Sequence, residues 1–381
     1  MQLQLPEPST DALAASRSLQ HLIADEIRRS DGWISFARYM ELVLYAPGLG
    51  YYSGGATKLG KEGDFTTAPE ISPLFGATLA HLATELFDQT DAAIMEFGAG
   101  TGKLAFDILS ELRDAGRLPT HYFIVEISTQ LRARQQETLR DFPQVRWLDS
   151  LPPSFSGVVI GNEVLDAMPV QLVVRGEQAW LERGVALDAA GAFAYVDRPC
   201  DGSLVAQIPD AEELAVGYLT EVHPIAVGFM QSLGTMLQNG KGAALLFDYG
   251  FPAHEYYLHE RGQGTLMCHY RHHSHSDPFY LPGLQDVTAH VDFTAMAKAA
   301  IDGGLDVFGY TSQAAFLLGA GIGDLLLRTS PEQSRAYLPQ SNAVQKLISP
   351  AEMGELFKVL AVGKNVDWPA RLHAHDRTHR L

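Results

Sequence analysis

Glu96, Gly98, Gly100 and Gly102 recur at every second position in the stretch AAIMEFGAGTGKLAFDIL, residues 92–109. An apolar run, Ala92–Met95, leads into the acid, and apolar residues return at 104, 105, 108, 109 and 112 after the last glycine. That is the pattern of a strand, a glycine-rich turn and an amphipathic helix. Several ligands use such turns. A nucleoside-triphosphate loop requires GxxxxGK[ST], but Leu104 stands where the hydroxyl is needed and position 97 is Phe. A dinucleotide turn requires GxGxxG, and here the third glycine arrives one residue early. Either ligand would also bring a pyrophosphate close to Glu96, which would repel it. A ligand with an amino group and no phosphate, such as S-adenosyl-L-methionine, suits acid-x-Gly-x-Gly-x-Gly. The acid attracts the positive end while the glycines let the backbone approach. A second strand, HYFIVEIS at 121–128, brings Glu126 to the place where a carboxylate accepts both ribose hydroxyls. Asp149, after a third strand, is a candidate for the adenine end. A ligand-free turn would explain the glycines alone; the acids on successive strands favour a bound cofactor.

The elements that must position these residues alternate. Helical segments at 11–46 and 74–88 flank a Gly/Thr/Pro-rich stretch at 47–76, expected to be a shaped functional loop. Strands and helices then alternate to a strand at 157–161, the pattern of a doubly wound parallel sheet. From Pro169 the texture changes to short alternating runs, VQLVVR, QAWLERGVAL and GAFAYVDR, which read as an antiparallel insertion, a candidate partner surface or dimer arm. A helical segment at about 211–238, a strand at 242–250, a Gly/Pro/His-rich region at 251–292 and strands near 305–310 and 356–363 follow, then a polar tail.

The chain has 381 residues, 28 basic and 45 acidic, with a formal net charge of −17, which argues against a nucleic-acid partner. Cys200 and Cys268 form no CxxC pair and point to a reducing compartment. The first twenty residues lack the apolar core of a secretory signal, and no apolar run reaches the length of a membrane span. A cytoplasmic location is expected, or the mitochondrial matrix if a presequence has been removed.

The segments YYSGG, GDFTTAPEISPLFG, EFGAGTGKLA, GNEVLDAMPV and PGLQDVTAHVDF, in that order, resemble the MidA-type family of S-adenosylmethionine-dependent methyltransferases, from about residue 20 to about 363. The resemblance implies a Rossmann-like class I methyltransferase sheet with helices on both faces, an N-terminal helical and loop extension and an antiparallel insertion. The corresponding division is 1–90 for the extension, 91–365 for the catalytic domain with its insertion at about 170–240, and 366–381 for the tail. Mitochondrial members of that family are complex I assembly factors that symmetrically dimethylate an arginine of a core subunit. By resemblance, the partner is a protein with an exposed arginine, such as a complex I subunit, and a homodimer is a further expectation. The alternatives are an assembly factor that grips its client without turnover, and methyl transfer to a small molecule.

The same motifs have a chemistry of their own. Asn162 and Glu163 sit where a buried strand ends, at the carboxyl edge where open α/β sheets bind ligands. Glu163 and Asp166 are three apart, so a helical turn would put both on one face to match a guanidinium fork. Either could instead cap a helix. Asp64 can pair with the methionine ammonium, near Thr66 and Thr67, in a segment that the resemblance places over the cofactor; a plain Asp turn is the alternative. Asp286, Thr288, His290 and Asp292 alternate, and share a face if extended. His290, with a pKa near ~6.5, can take the proton that arginine loses, or can merely support the loop through an Asp–His hydrogen bond. The His-rich run CHYRHHSHSD at 268–277 matches no zinc spacing, and no metal is expected.

Overall fold

A seven-strand path fixes where ligands can reach the sheet in the computed structural model, which describes residues 5–54 and 66–381. Its strands are β1 (Ala93–Phe97), β2 (His121–Val125), β3 (Val145–Leu148), β4 (Ser156–Asn162), β5 (Lys241–Phe251), β6 (Asp306–Ser312) and β7 (Phe357–Lys364). They lie in the order β3-β2-β1-β4-β5-β7-β6. Pairing is parallel from β3 through β5, and β7 runs antiparallel to both β5 and β6. The order reverses between β1 and β4. At such a switch point the turns leaving two adjacent strands diverge, opening a crevice at their carboxyl ends. The Rossmann-like α/β expectation holds.

This sheet belongs to a compact unit made of Thr66–Val164, Phe229–Gly250 and Met296–Leu381. Its central strands β1, β4 and β5 are buried on both faces, which is why they read as apolar runs rather than alternations. Helix Pro73–Phe87 starts with a proline in its first turn and with Ser72 Oγ accepting from Leu74 N–H. Its Leu79, Leu82 and Leu86 join Leu104, Ile108 and Leu112 of helix Lys103–Asp114, a helical period, in one core with Ile94, Ile124, Ile160 and Phe247.

The second unit comprises the described residues of Met1–Phe65, with Leu165–Gly228 and Phe251–Ala295. Helix Thr10–Arg29, capped by Ser9, and helix Phe36–Tyr45, capped by Ser35, pack Leu19, Ile23, Ile27, Tyr39 and Met40 with Leu172, Val185 and Val287. The expected antiparallel insertion is present. Trp180–Leu187 pairs with Ile34–Ser35, Gln171–Arg175 and Phe193–Pro199, all antiparallel. The Gly/Pro/His-rich region contains a small sheet in which Met267–Tyr270 pairs with His273–His275 and Asp286–Thr288.

Three expectations are corrected. The helix expected at 211–238 is broken: Gly217 turns at φ +87°, Leu219–Val222 joins the antiparallel sheet, and the helix starts only at Pro224. The polar tail is docked. Trp368 stacks on Phe308, Asp376 accepts from Tyr310 N–H, and Arg377 forks onto Glu355. Finally, the division at residues 90 and 365 does not follow the compact units, because helix Pro73–Phe87 and the tail both pack with the seven-strand sheet.

Candidate functional site

The turn after β1 is built by backbone conformation. Gly98, Gly100 and Gly102 have φ of +61°, +53° and +82°, a region that costs any other residue about 1–2 kcal/mol. Gly98 N–H donates to Val125 O at 3.0 Å, tying the turn to the end of β2, and Gly102 N–H donates to Ala99 O at 2.8 Å. A Cβ on Gly98 would stand 3.5 Å from Val164 Cγ2. The turn after β1 therefore touches the turn after β4, as the switch point requires.

Glu126, just past β2, is held at both oxygens. Oε1 accepts from Ser128 N–H at 2.9 Å, and Oε2 accepts from Gln135 Nε2 at 2.9 Å. Burial raises its pKa, and the two hydrogen bonds oppose that shift. Gln135, fully buried on helix Thr129–Thr138, also donates to Gly100 O at 3.0 Å. Thr138 Oγ donates to Thr101 O, and Thr101 Oγ donates to Glu70 Oε1 at 2.6 Å. Sequence reasoning missed Gln135 and Glu70. The i, i+3 spacing of Gln135 and Thr138 was the signal in the first case; nothing local marked the second.

Glu96 departs from its expected place. Its carboxylate is buried and accepts from Tyr122 OH at 2.7 Å, so it braces β2 instead of presenting an open counter-charge. Burial pushes its pKa up to about 7, against the pull of the tyrosine hydroxyl. Asp149 is exposed and pairs with Arg132 Nη1 at 2.6 Å. Thr66 is exposed ahead of the short helix Ala68–Ile71, and Asp64 lies outside the described residues.

β4 ends in an unusual corner. Glu163 has φ +54°, a conformation that glutamate adopts at a cost, and such strain concentrates at functional positions. Two bonds hold it there: Glu163 N–H donates to Phe247 O at 2.8 Å, and Val164 N–H donates to Asp248 Oδ2 at 3.1 Å. Asn162 Nδ2 donates to Glu163 Oε1 at 3.0 Å, which fixes the amide's orientation. Asn162 Oδ1 is then a buried acceptor with no partner among the described residues. A group with N–H donors would satisfy it.

The expected helical face shared by Glu163 and Asp166 does not form. The left-handed turn at Glu163 leads into a turn rather than a helix. Asp166 belongs to the second unit, where it is buried and its carbonyl accepts from Ala289 N–H. Asp292 in that unit caps helix Phe293–Asp302. Its Oδ1 accepts from Thr294 and Ala295 N–H at 3.0 and 3.1 Å, and burial pushes its pKa up to about 6. His290 is held by Thr265. Its Nδ1 lies 3.2 Å from Thr265 O, its N–H donates to Thr265 Oγ at 3.1 Å, and its ring stacks on Phe251. A carbonyl only accepts, so Nδ1 carries the proton and the lone pair lies on Nε2. Thr265 is held in turn by Glu221, a buried carboxylate that accepts from Thr265 N and Oγ, Leu266 N and Tyr256 OH. In the His-rich run, His273–His275 is simply a strand; no group of three or more His, Cys, Asp or Glu among the described residues could hold a metal ion. No described helix is long and apolar enough to cross a membrane.

The donor set fits a nucleoside linked to an amino acid. Three left-handed glycines allow close backbone approach, and a fixed carboxylate stands after the neighbouring strand. The family model described as "Putative S-adenosyl-L-methionine-dependent methyltransferase" matches residues 76–311. The mitochondrial protein arginine methyltransferase NDUFAF7 of Bos taurus is 31% identical over 90% of this chain and 82% of its own length. That of Danio rerio is 30% identical over 90% and 86%. A Burkholderia thailandensis protein crystallised with S-adenosyl-homocysteine is 52% identical, with a TM-score of 0.93 over 99% of this chain and 100% of that one.

Proposed function

The chain belongs to this family of S-adenosylmethionine-dependent methyltransferases, and from that membership we propose that it methylates an arginine of a protein partner. The observation that carries the proposal is the corner after β4. There a buried, unpartnered amide oxygen stands beside a carboxylate held in a left-handed turn. A guanidinium offers five donors in a fork, which suits one amide oxygen and one carboxylate.

In this reading Glu126 takes the ribose hydroxyls, and the backbone of Gly98–Gly102 packs against the amino-acid part. Asp64 and Thr66 belong to the segment assigned to cover the cofactor, and Asp149 remains a candidate for the adenine end. The bound cofactor supplies an electrophilic methyl group on a sulfonium. Asn162 and Glu163 hold the guanidinium and draw its positive charge away from the attacking nitrogen, so that most of the rate gain is positioning. As the N–C bond forms and the S–C bond breaks, the nitrogen must lose a proton. That proton goes to a base or to water, and His290 stays the sequence's candidate for the base.

The partner is taken to be a subunit of a respiratory NADH dehydrogenase complex, as the family resemblance implies, with the net charge of −17 favouring a basic client segment. A cytoplasmic location agrees with two free cysteines. The insertion at about 170–200 is the assigned partner surface or dimer arm.

The test adds the purified protein and isotope-labelled S-adenosylmethionine to lysate from cells lacking it, with Glu126→Ala as control, and locates the label by mass spectrometry. Label on one arginine of a respiratory subunit, absent in the control, is the expected result. Label confined to low-mass compounds would replace the protein acceptor with a small one. No label at all would turn the reading toward an assembly factor without turnover.

A further inference from the structure

We propose that Gln135 is the positioning residue of the cofactor site, fixing the ribose carboxylate and the glycine turn against each other; this rests on the reading of Glu126 as the ribose acceptor. A primary amide has two N–H donors and one carbonyl oxygen. Trp147 Nε1–H can only donate, and it lies 2.9 Å from Gln135 Oε1, so the oxygen must face β3. Both donors are thereby aimed the other way, one at Glu126 Oε2 at 2.9 Å and one at Gly100 O at 3.0 Å.

One side chain thus joins three segments: the turn after β1, the acid after β2, and the tryptophan of β3. The turn makes room for it. A Cβ on Gly102 would stand 3.3 Å from Gln135 Cα, so the third glycine lets helix Thr129–Thr138 come this close as well as turning the chain. Gln135 is fully buried, and an apolar side chain there would leave a carboxylate oxygen, a carbonyl and an indole N–H unpaired. The bond to Glu126 also favours the ionised carboxylate that burial disfavours. A carboxylate has about four acceptor positions; Ser128 N–H and Gln135 Nε2 take one on each oxygen, Ile127 N–H also bonds the group, and the ribose hydroxyls compete for what remains.

The experiment measures binding of S-adenosyl-homocysteine, adenosine and 2′,3′-dideoxyadenosine by calorimetry, for the wild type, Gln135→Leu, Gln135→Glu and Trp147→Phe. The ratio of adenosine to dideoxyadenosine affinity reads the ribose contacts alone and does not depend on how much of a variant is folded. The wild type should prefer adenosine. Gln135→Leu should weaken S-adenosyl-homocysteine by about tenfold or more and shrink the ratio toward one, from loss of a bond to a charged group. Gln135→Glu, which sets a like charge against Glu126, should weaken it further. Trp147→Phe, which frees the amide to rotate, should fall between wild type and Gln135→Leu.

An unchanged ratio in Gln135→Leu would overturn the proposal even if total affinity fell, since that would be a packing effect. A wild type that binds both nucleosides equally would instead overturn the ribose reading of Glu126. Coupling in a double-mutant cycle of Gln135→Leu with Glu126→Gln gives a second, independent readout. Additive losses would mean that Gln135 does not act through Glu126.

Discussion

The turn at Gly98–Gly102 and the loop around Thr265 both hold a segment in one shape, but by opposite means. In the first, shape is written into the backbone: three left-handed positions can be occupied cheaply only by glycine, and three glycines occupy them. In the second, shape comes from a distant partner. Glu221 receives four donors, two of them from Thr265, which lies 44 residues further along the chain, and Thr265 then fixes His290. Gly264 serves both means, since at φ +77° its missing Cβ is what lets Glu221 Oε1 approach. A site held by local conformation advertises itself in sequence, whereas one held by a buried carboxylate does not.

The contrast can be broken most sharply at Glu126. Glu126→Ala should weaken S-adenosyl-homocysteine about 100-fold in calorimetry, because charge-assisted bonds to two hydroxyls are lost. Its melting temperature should change little. Glu221→Ala should do the reverse. Removing a buried carboxylate that accepts from four donors should destabilise the second unit by about 3 kcal/mol in urea unfolding, with cofactor affinity per folded molecule unchanged. Equal losses of affinity in both variants would erase the distinction between the two regions.

Glu96 sharpens it through pH. Its folded pKa of about 7 lies above the ordinary 4.5, so the folded chain keeps a proton that the unfolded chain releases in between. This contribution is complete below pH 4.5 and is lost as pH rises through 7. The stability of the wild type should therefore fall by about 3 kcal/mol relative to Glu96→Gln between pH 4.5 and 8. A constant difference across that range would mean that Glu96 is ionised in the fold. The smallest effect belongs to Asp149, exposed and paired with Arg132. Asp149→Ala should alter stability by less than about 0.5 kcal/mol and weaken S-adenosyl-homocysteine by only about twofold to fivefold. Unchanged binding would remove Asp149 from the adenine end.

The same logic explains what could be read in advance. The parallel sheet, its glycine turn and Glu126 were legible because strand burial, helical period and left-handed turns depend on neighbours in the chain. Asn162 and Glu163 were legible as residues at a strand's end, but not the conformation they take. Spacing suggested a helical turn joining Glu163 to Asp166, and only the bonds that Glu163 and Val164 N–H donate to Phe247 O and Asp248 Oδ2 show why the chain turns the other way. Glu70, Tyr122 and Glu221 act through partners from other segments, and no local pattern marks them; Gln135 offers only its i, i+3 spacing to Thr138. The tail looked solvated because its composition is polar, yet Asp376 and Arg377 spend that polarity on Tyr310 and Glu355.

The most direct measurement compares the wild type with Glu163→Gln in the labelled-methyl assay on lysate protein, followed by hydrolysis to amino acids and identification of the labelled species. The wild type should yield labelled methylarginine, and Glu163→Gln should yield on the order of 10²-fold less while binding S-adenosyl-homocysteine normally. Undiminished methylarginine from Glu163→Gln, or label on any other amino acid, would contradict the assignment of the corner after β4 as the guanidinium site.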